Sequence, residues 1–74
     1  MSKLNAGILI IGDEILSGRT QDTNSNFIAQ KLIESGIKPE KIKIIQDDKY
    51  LIKESVLDFN KKFNYVFTTG GIGP

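Results

Sequence analysis

A chain of 74 residues has room for one small domain and none for a multidomain enzyme, because at this size only roughly 60% of the unfolded surface becomes buried. Apolar residues make up 39% and the formal charge is +1, a composition suited to a folded domain and lacking the charge surplus that draws nucleic acid or an anionic membrane. With no Cys and no His, disulfides, thiolate nucleophiles, imidazole acid/base chemistry and ordinary zinc sites are excluded, and any catalysis falls to carboxylates, hydroxyls, Lys or the backbone.

Ala6-Gly7-Ile8-Leu9-Ile10-Ile11-Gly12 is a short, continuous apolar run rich in β-branched residues, and it reads as a strand buried on both faces. Asp13 and Glu14 follow it directly with no cleavage site, so it is no signal peptide. No stretch reaches the roughly 18 apolar residues of a membrane span, and the expected location is cytoplasmic. Residues 13–22 are polar apart from Ile15 and Leu16 and read as a long loop with one apolar anchor. Thr23-Asn24-Ser25-Asn26 supplies side-chain caps ahead of Phe27, Ile28, Leu32 and Ile33, which predicts a helix over about residues 23–35. Gly36 is the left-handed residue ending it, Ile37 folds back on Leu32 or Ile33, and Pro39 bars continuation.

Lys41-Ile42-Lys43-Ile44-Ile45-Gln46 alternates charged and apolar residues, the pattern of an edge strand with one wet face. Ile52, Val56, Phe59 and Phe63 then recur at i, i+4, i+7 and i+11, predicting an amphipathic helix over Lys49–Lys62 capped by Asp47 or Asp48. Asn64-Tyr65-Val66-Phe67-Thr68-Thr69 is a third strand, and Gly70-Gly71-Ile72-Gly73-Pro74 is a turn. Phe27, Phe59, Phe63 and Phe67 are expected in the core, with Tyr65 the exception, and nothing forms an aromatic platform for nucleic acid.

The order is βαβαβ with crossovers long enough for parallel strands, so the class is α/β, three layers around a parallel sheet. A central first strand and an edge-like second strand favour the order 2-1-3, with the two helices on opposite faces. That order has a switch point, and ligands in such sheets sit beyond the carboxyl ends of the strands where the order reverses.

The loops at that edge carry the candidate chemistry. Gly70-Gly71-Ile72-Gly73 can turn backbone N–H groups outward as an anion nest, or can be a strand-end turn that needs positive φ. Gly12 and Gly18 are separated by five residues and followed by Arg19, which fails the phosphate-loop spacing of four and then Lys. Asp13 and Glu14 can hold a divalent cation or form a solvated turn. Asp47 and Asp48 can orient a metal-bound water or cap a helix, and one residue can do each job. Thr23, Asn24 and their polar neighbours either bind an anion at a helix start or cap it, and Arg19 either counters a phosphate or is solvated.

Ile11-Gly12-Asp13-Glu14-Ile15-Leu16-Ser17-Gly18-Arg19-Thr20-Gln21-Asp22-Thr23-Asn24 and Phe67-Thr68-Thr69-Gly70-Gly71-Ile72-Gly73-Pro74 together closely resemble the molybdopterin-binding-like domain of the CinA (competence/damage-inducible protein A) family. They are especially similar to the variant of that domain at the N-terminus of eukaryotic FAD synthases. The resemblance covers residues 6–74, and the two motifs in this order are far more specific than either glycine pattern alone. It implies an α/β domain related to the MogA and MoaB proteins, with residues 1–74 as its N-terminal half. It further implies that Gly70, Gly71 and Gly73 contact a phosphate-bearing pterin or nucleotide. Asp47 matches the acidic residue after the second strand that is associated with metal-dependent nucleotide chemistry, and so becomes both the catalytic and the metal-holding candidate, with magnesium the expected ion. Asp13, Glu14, Thr23 and Asn24 match the first motif and line the same cleft. The parent activity implied is a metal-dependent nucleotide pyrophosphatase of the ADP-ribose or FAD type.

The family pattern continues after Gly-Pro with Thr-x-Asp-Asp and roughly half a domain more, whereas this sequence stops at Pro74. The expectation is therefore a truncated piece, inactive alone. The alternative is a non-catalytic binding or assembly module that regains its missing half from a second polypeptide or by homo-oligomerisation, or an inactive remnant.

Overall fold

The apolar run near the start sits at the centre of the molecule. A computed structural model describes residues 4–70, with β1 (Leu4–Ile11), α1 (Asp13–Leu16), α2 (Asn24–Glu34), β2 (Ile37–Ile45), α3 (Lys49–Lys62) and β3 (Tyr65–Thr69) in chain order. The three strands form an all-parallel sheet in the order β2-β1-β3, the 2-1-3 order expected. Among the described residues no helix is long and apolar enough to cross a membrane.

Alternation along β1 builds two cores. Ala6, Ile8 and Ile10 pack on one face with Leu32 of α2, and Leu9 and Ile11 pack on the other with Ile45 of β2 and Phe59 of α3. Ile8, Leu9 and Ile10 have no exposed surface, and full burial of such a side chain contributes about 1.5–3 kcal/mol. Gly7 is required in this arrangement, because a Cβ there would run into the rings of Phe59 and Phe63. Those rings meet edge to face with centroids 5.1 Å apart, a favoured aromatic geometry.

The expected helices stand, as does the Gly36 stop at φ 82°, and Ile37 packs beside Leu32 as expected. Three expectations need correction. The second strand begins at Ile37 rather than Lys41, running through Pro39 with a register shift: Ala6 pairs with Pro39 and Gly7 with Lys41. Glu40 is the extra residue of this bulge. An edge strand tolerates a proline because one side of it has no partner. The loop after β1 opens with a short helical turn, α1, in which Ile15 packs on the core while Leu16 is left half exposed. Phe27 is not a core residue: it is 60% exposed, as Ile33 is at 64%. The helix meets the narrow sheet along Ile28, Ala29 and Leu32, and its apolar stripe is wider than the surface beneath it. The Phe27 ring instead receives the Lys31 ammonium at 5.6 Å.

At the amino edge of the sheet, Asn5 and Asn64 exchange reciprocal hydrogen bonds. Asn5 N–H donates to Asn64 Oδ1 at 2.9 Å and Asn64 N–H donates to Asn5 Oδ1 at 2.8 Å. Asn5 Nδ2 also donates to Glu40 at 3.2 Å, so one side chain ties β1 to both flanking strands.

Candidate functional site at the carboxyl edge of the sheet

Parallel strands deliver their following loops to one edge. Gly12 N–H donates to the Ile45 carbonyl at 3.0 Å, which clamps the ends of β1 and β2 together. The residues after Gly12 form a tight knot: Ser17 N–H donates to Asp13 O at 2.9 Å, and the N–H groups of Arg19 and Thr20 both donate to Glu14 O, at 2.9 and 3.1 Å. This knot turns the Asp13 carboxylate toward the β2–α3 turn, where Oδ1 accepts the Asp47 N–H at 3.2 Å. Between the two loops lies an open cleft of about 560 Å³, lined by Asp13, Leu16, Ser17, Gln46, Asp47 and Asp48.

The three aspartates have separate positions. Asp48 is the N-cap of α3, its carboxylate accepting from Leu51 N–H at 3.4 Å. Asp13 holds the Asp47 amide. Among the described residues the Asp47 carboxylate has no hydrogen-bond or ion-pair partner, and it is exposed at the cleft. The pair left open by the sequence is thus resolved on the capping side: Asp48 is the cap, and the Asp47 carboxylate has no partner among the described residues.

Gly70 closes the edge from the β3 side. Its φ is +79°, and a Cβ there would collide with the Ile11 carbonyl oxygen. Two requirements, a left-handed backbone and a close backbone approach, converge on glycine at this one position. Gly70 therefore lies against the end of β1, at the Ile11 carbonyl. Gly71 and Gly73, the other candidates of that loop, lie outside the described residues.

Not every candidate reaches the cleft. Glu14 bends back over Gly12, its carboxylate oxygen 3.0 Å from where a Gly12 Cβ would stand. Thr23 and Asn24 sit at the start of α2 and are not among the lining residues. The side chain that satisfies this helix start is Asp22, which accepts from Asn24 N–H at 3.0 Å and from the Ser25 N–H at 3.1 Å and hydroxyl. The Ser25 hydroxyl bond is the main reason its carboxyl group is held below the usual range. Leu16, Ser17 and Gln46 line the cleft without having been singled out. Their signal was positional, since each belongs to a loop or strand end at the switch point.

Among the described residues no three Asp, Glu, His or Cys side chains come together as a cation cage. The donors present suit a sparsely ligated magnesium ion, which takes one or two carboxylates and completes its shell with water and ligand phosphate.

Comparison with known proteins places this geometry. The family model described as "Probable molybdopterin binding domain" matches residues 7–74. A "Probable FAD synthase" of Caenorhabditis elegans is 46% identical over 69 residues, which is 93% of this chain and 13% of the relative. A "CinA-like protein" of Thermosipho melanesiensis is 43% identical over 67 residues, 90% of this chain and 17% of the relative. The chain thus spans less than a fifth of each of these two proteins. The crystal structure of the protein CinA, of unknown function, from Thermoplasma acidophilum superimposes with a TM-score of 0.92 at 32% identity, covering 97% of this chain and 43% of that one. The 2-1-3 sheet matches that of this CinA structure, and the chain belongs to the molybdopterin-binding-domain family.

Proposed function

We propose that this domain binds the phosphate of a pterin or nucleotide at the carboxyl edge of its sheet, and that the parent activity is metal-dependent hydrolysis of a nucleotide pyrophosphate of the ADP-ribose or FAD type. The observation that carries the proposal is the exposed Asp47 carboxylate, without a partner among the described residues, in a cleft at the switch point. The similarity to proteins named FAD synthase and CinA supports a nucleotide or pterin as the ligand class.

In this reading backbone N–H groups of the loop opened by Gly70, with Gly71 and Gly73, hold phosphate oxygens. Asp47 is where a divalent metal is held, its backbone N–H bonded to the Asp13 carboxylate. Such a metal supplies charge neutralisation at the phosphoryl oxygens and a more acidic water. Glu14, Thr23 and Asn24 approach the ligand, if at all, from outside the aspartate cleft. Calorimetric titration with ADP-ribose in MgCl2 tests the reading: the chain binds, and Asp47→Asn or EDTA weakens binding by about tenfold or more, the scale of one charge-assisted contact. Equal affinity in all three conditions would contradict it.

A second reading, a binding module without catalysis, is favoured by the absence of a third converging carboxylate among the described residues. AMP released from ADP-ribose by the chain in MgCl2, and abolished by Asp47→Asn, would contradict that reading and support the first.

A further inference from the structure

The β2–α3 turn consists of Gln46, Asp47 and Asp48, and its two ends are fixed. Ile45 is held by the sheet and by Gly12 N–H at 3.0 Å; Asp48 is held by its own N–H on Gln46 O at 2.9 Å and by its cap on Leu51 N–H. Among the described residues the middle residue, Asp47, has one anchor, the Asp13 carboxylate on its backbone N–H at 3.2 Å. That anchor is itself rigid, because Asp13 opens α1 and its carbonyl is engaged by Ser17 N–H at 2.9 Å. A short side chain on a hydrogen-bonded backbone is thus aimed at the backbone N–H of Asp47.

Among the described residues the Asp13 carboxylate has no ion-pair partner, and it shares the cleft with two other carboxylates, where like charges disfavour one another. What the geometry uses is a hydrogen-bond acceptor of this length. We infer that Asp13 is a positioning residue: by accepting the Asp47 N–H it holds the turn so that the Asp47 carboxylate faces the cleft, and it acts as an acceptor rather than as a ligand. This inference rests on the reading of Asp47 as the ligand-facing carboxylate.

The test compares the wild-type chain with Asp13→Asn, which keeps an oxygen acceptor without the charge, and Asp13→Ala, which keeps neither. The first readout is the Asp47 amide by 15N NMR without metal, as chemical shift and hydrogen exchange. The second is manganese binding by paramagnetic relaxation, with MnCl2 as the probe. The expected result is a wild-type-like Asp47 amide and manganese affinity within about threefold in Asp13→Asn, against roughly tenfold losses of amide protection and of affinity in Asp13→Ala, the scale of one hydrogen bond. Equal loss of manganese affinity in both variants with an unmoved Asp47 amide would overturn the inference and make Asp13 a ligand. Should Asp13→Ala lose its dispersed spectrum, Asp13→Asn alone decides: retention of amide and affinity supports the inference and loss of both overturns it. Manganese binding indifferent to Asp47→Asn overturns the Asp47 reading, and the metal-free amide readout keeps the two failures apart.

Discussion

At the start of α2, Asp22 accepts from the N–H groups of Asn24 and Ser25 and from the Ser25 hydroxyl, while the N-cap residue Thr23 makes no side-chain cap. Removal of such a cap costs about 1 kcal/mol, so Asp22→Ala should lower the urea-unfolding free energy by that order at pH 7. Hydrogen bonding to Ser25 holds the folded Asp22 below its ordinary value. Its contribution is therefore whole above the unfolded pKa of about 3.9 and is lost as pH falls through the folded value. The difference between wild type and Asp22→Ala should accordingly shrink below about pH 3.9. Gly70→Ala should cost more than about 1 kcal/mol, since it combines a left-handed backbone with a clash against Ile11; wild-type stability there would contradict the described strand end. The sequence could name the capping candidates but not choose among them. Asp47 and Asp48 are chemically alike, and only the path of the turn leaves one on Leu51 N–H and the other free.

At the scale of elements, α3 was legible because its four apolar positions keep one helical period, and Ile52, Val56, Phe59 and Phe63 all pack on the same cluster. Phe59 is 1% exposed, and deletion of a buried ring costs about 3–5 kcal/mol. For a domain of this size that is much of the available stability, so Phe59→Ala should lose cooperative unfolding in urea or be unfolded without it. Retention of a wild-type midpoint would show that the second core is not packed as described. The start of β2 was illegible for a physical reason: Pro39 stops a helix and sits at a strand bulge with equal ease. The Asn5–Asn64 pair was illegible because its partners lie 59 residues apart. No local pattern encodes that contact.

Across the whole molecule the two sheet edges differ in kind. The outer strand β2 carries Lys38, Pro39, Glu40, Lys41 and Lys43 and a bulge, devices that discourage further pairing. The opposite strand β3, Tyr65–Thr69, carries no charge and no proline, and among the described residues nothing pairs beyond it. Sedimentation velocity should therefore show association that grows with concentration and that a lysine at Thr68 suppresses; a monomer at all concentrations would contradict an adhesive β3. The switch-point position of the cleft was legible from strand order alone. Its division of labour among Asp13, Asp47 and Asp48 depended on the knot after β1, which appears in the sequence only as a polar loop.

The central claim, that the carboxyl edge of this sheet is a phosphate site centred on Asp47 and Gly70, is tested most directly by amide-resolved NMR of the chain titrated with ADP-ribose and MgCl2. A dispersed spectrum is expected in which shifts concentrate at Asp13, Ser17, Asp47 and Gly70, and in which Asp47→Asn removes the magnesium-dependent part. Shifts absent from those residues at saturating ligand, or centred on the α2 face around Phe27 and Lys31, would contradict it.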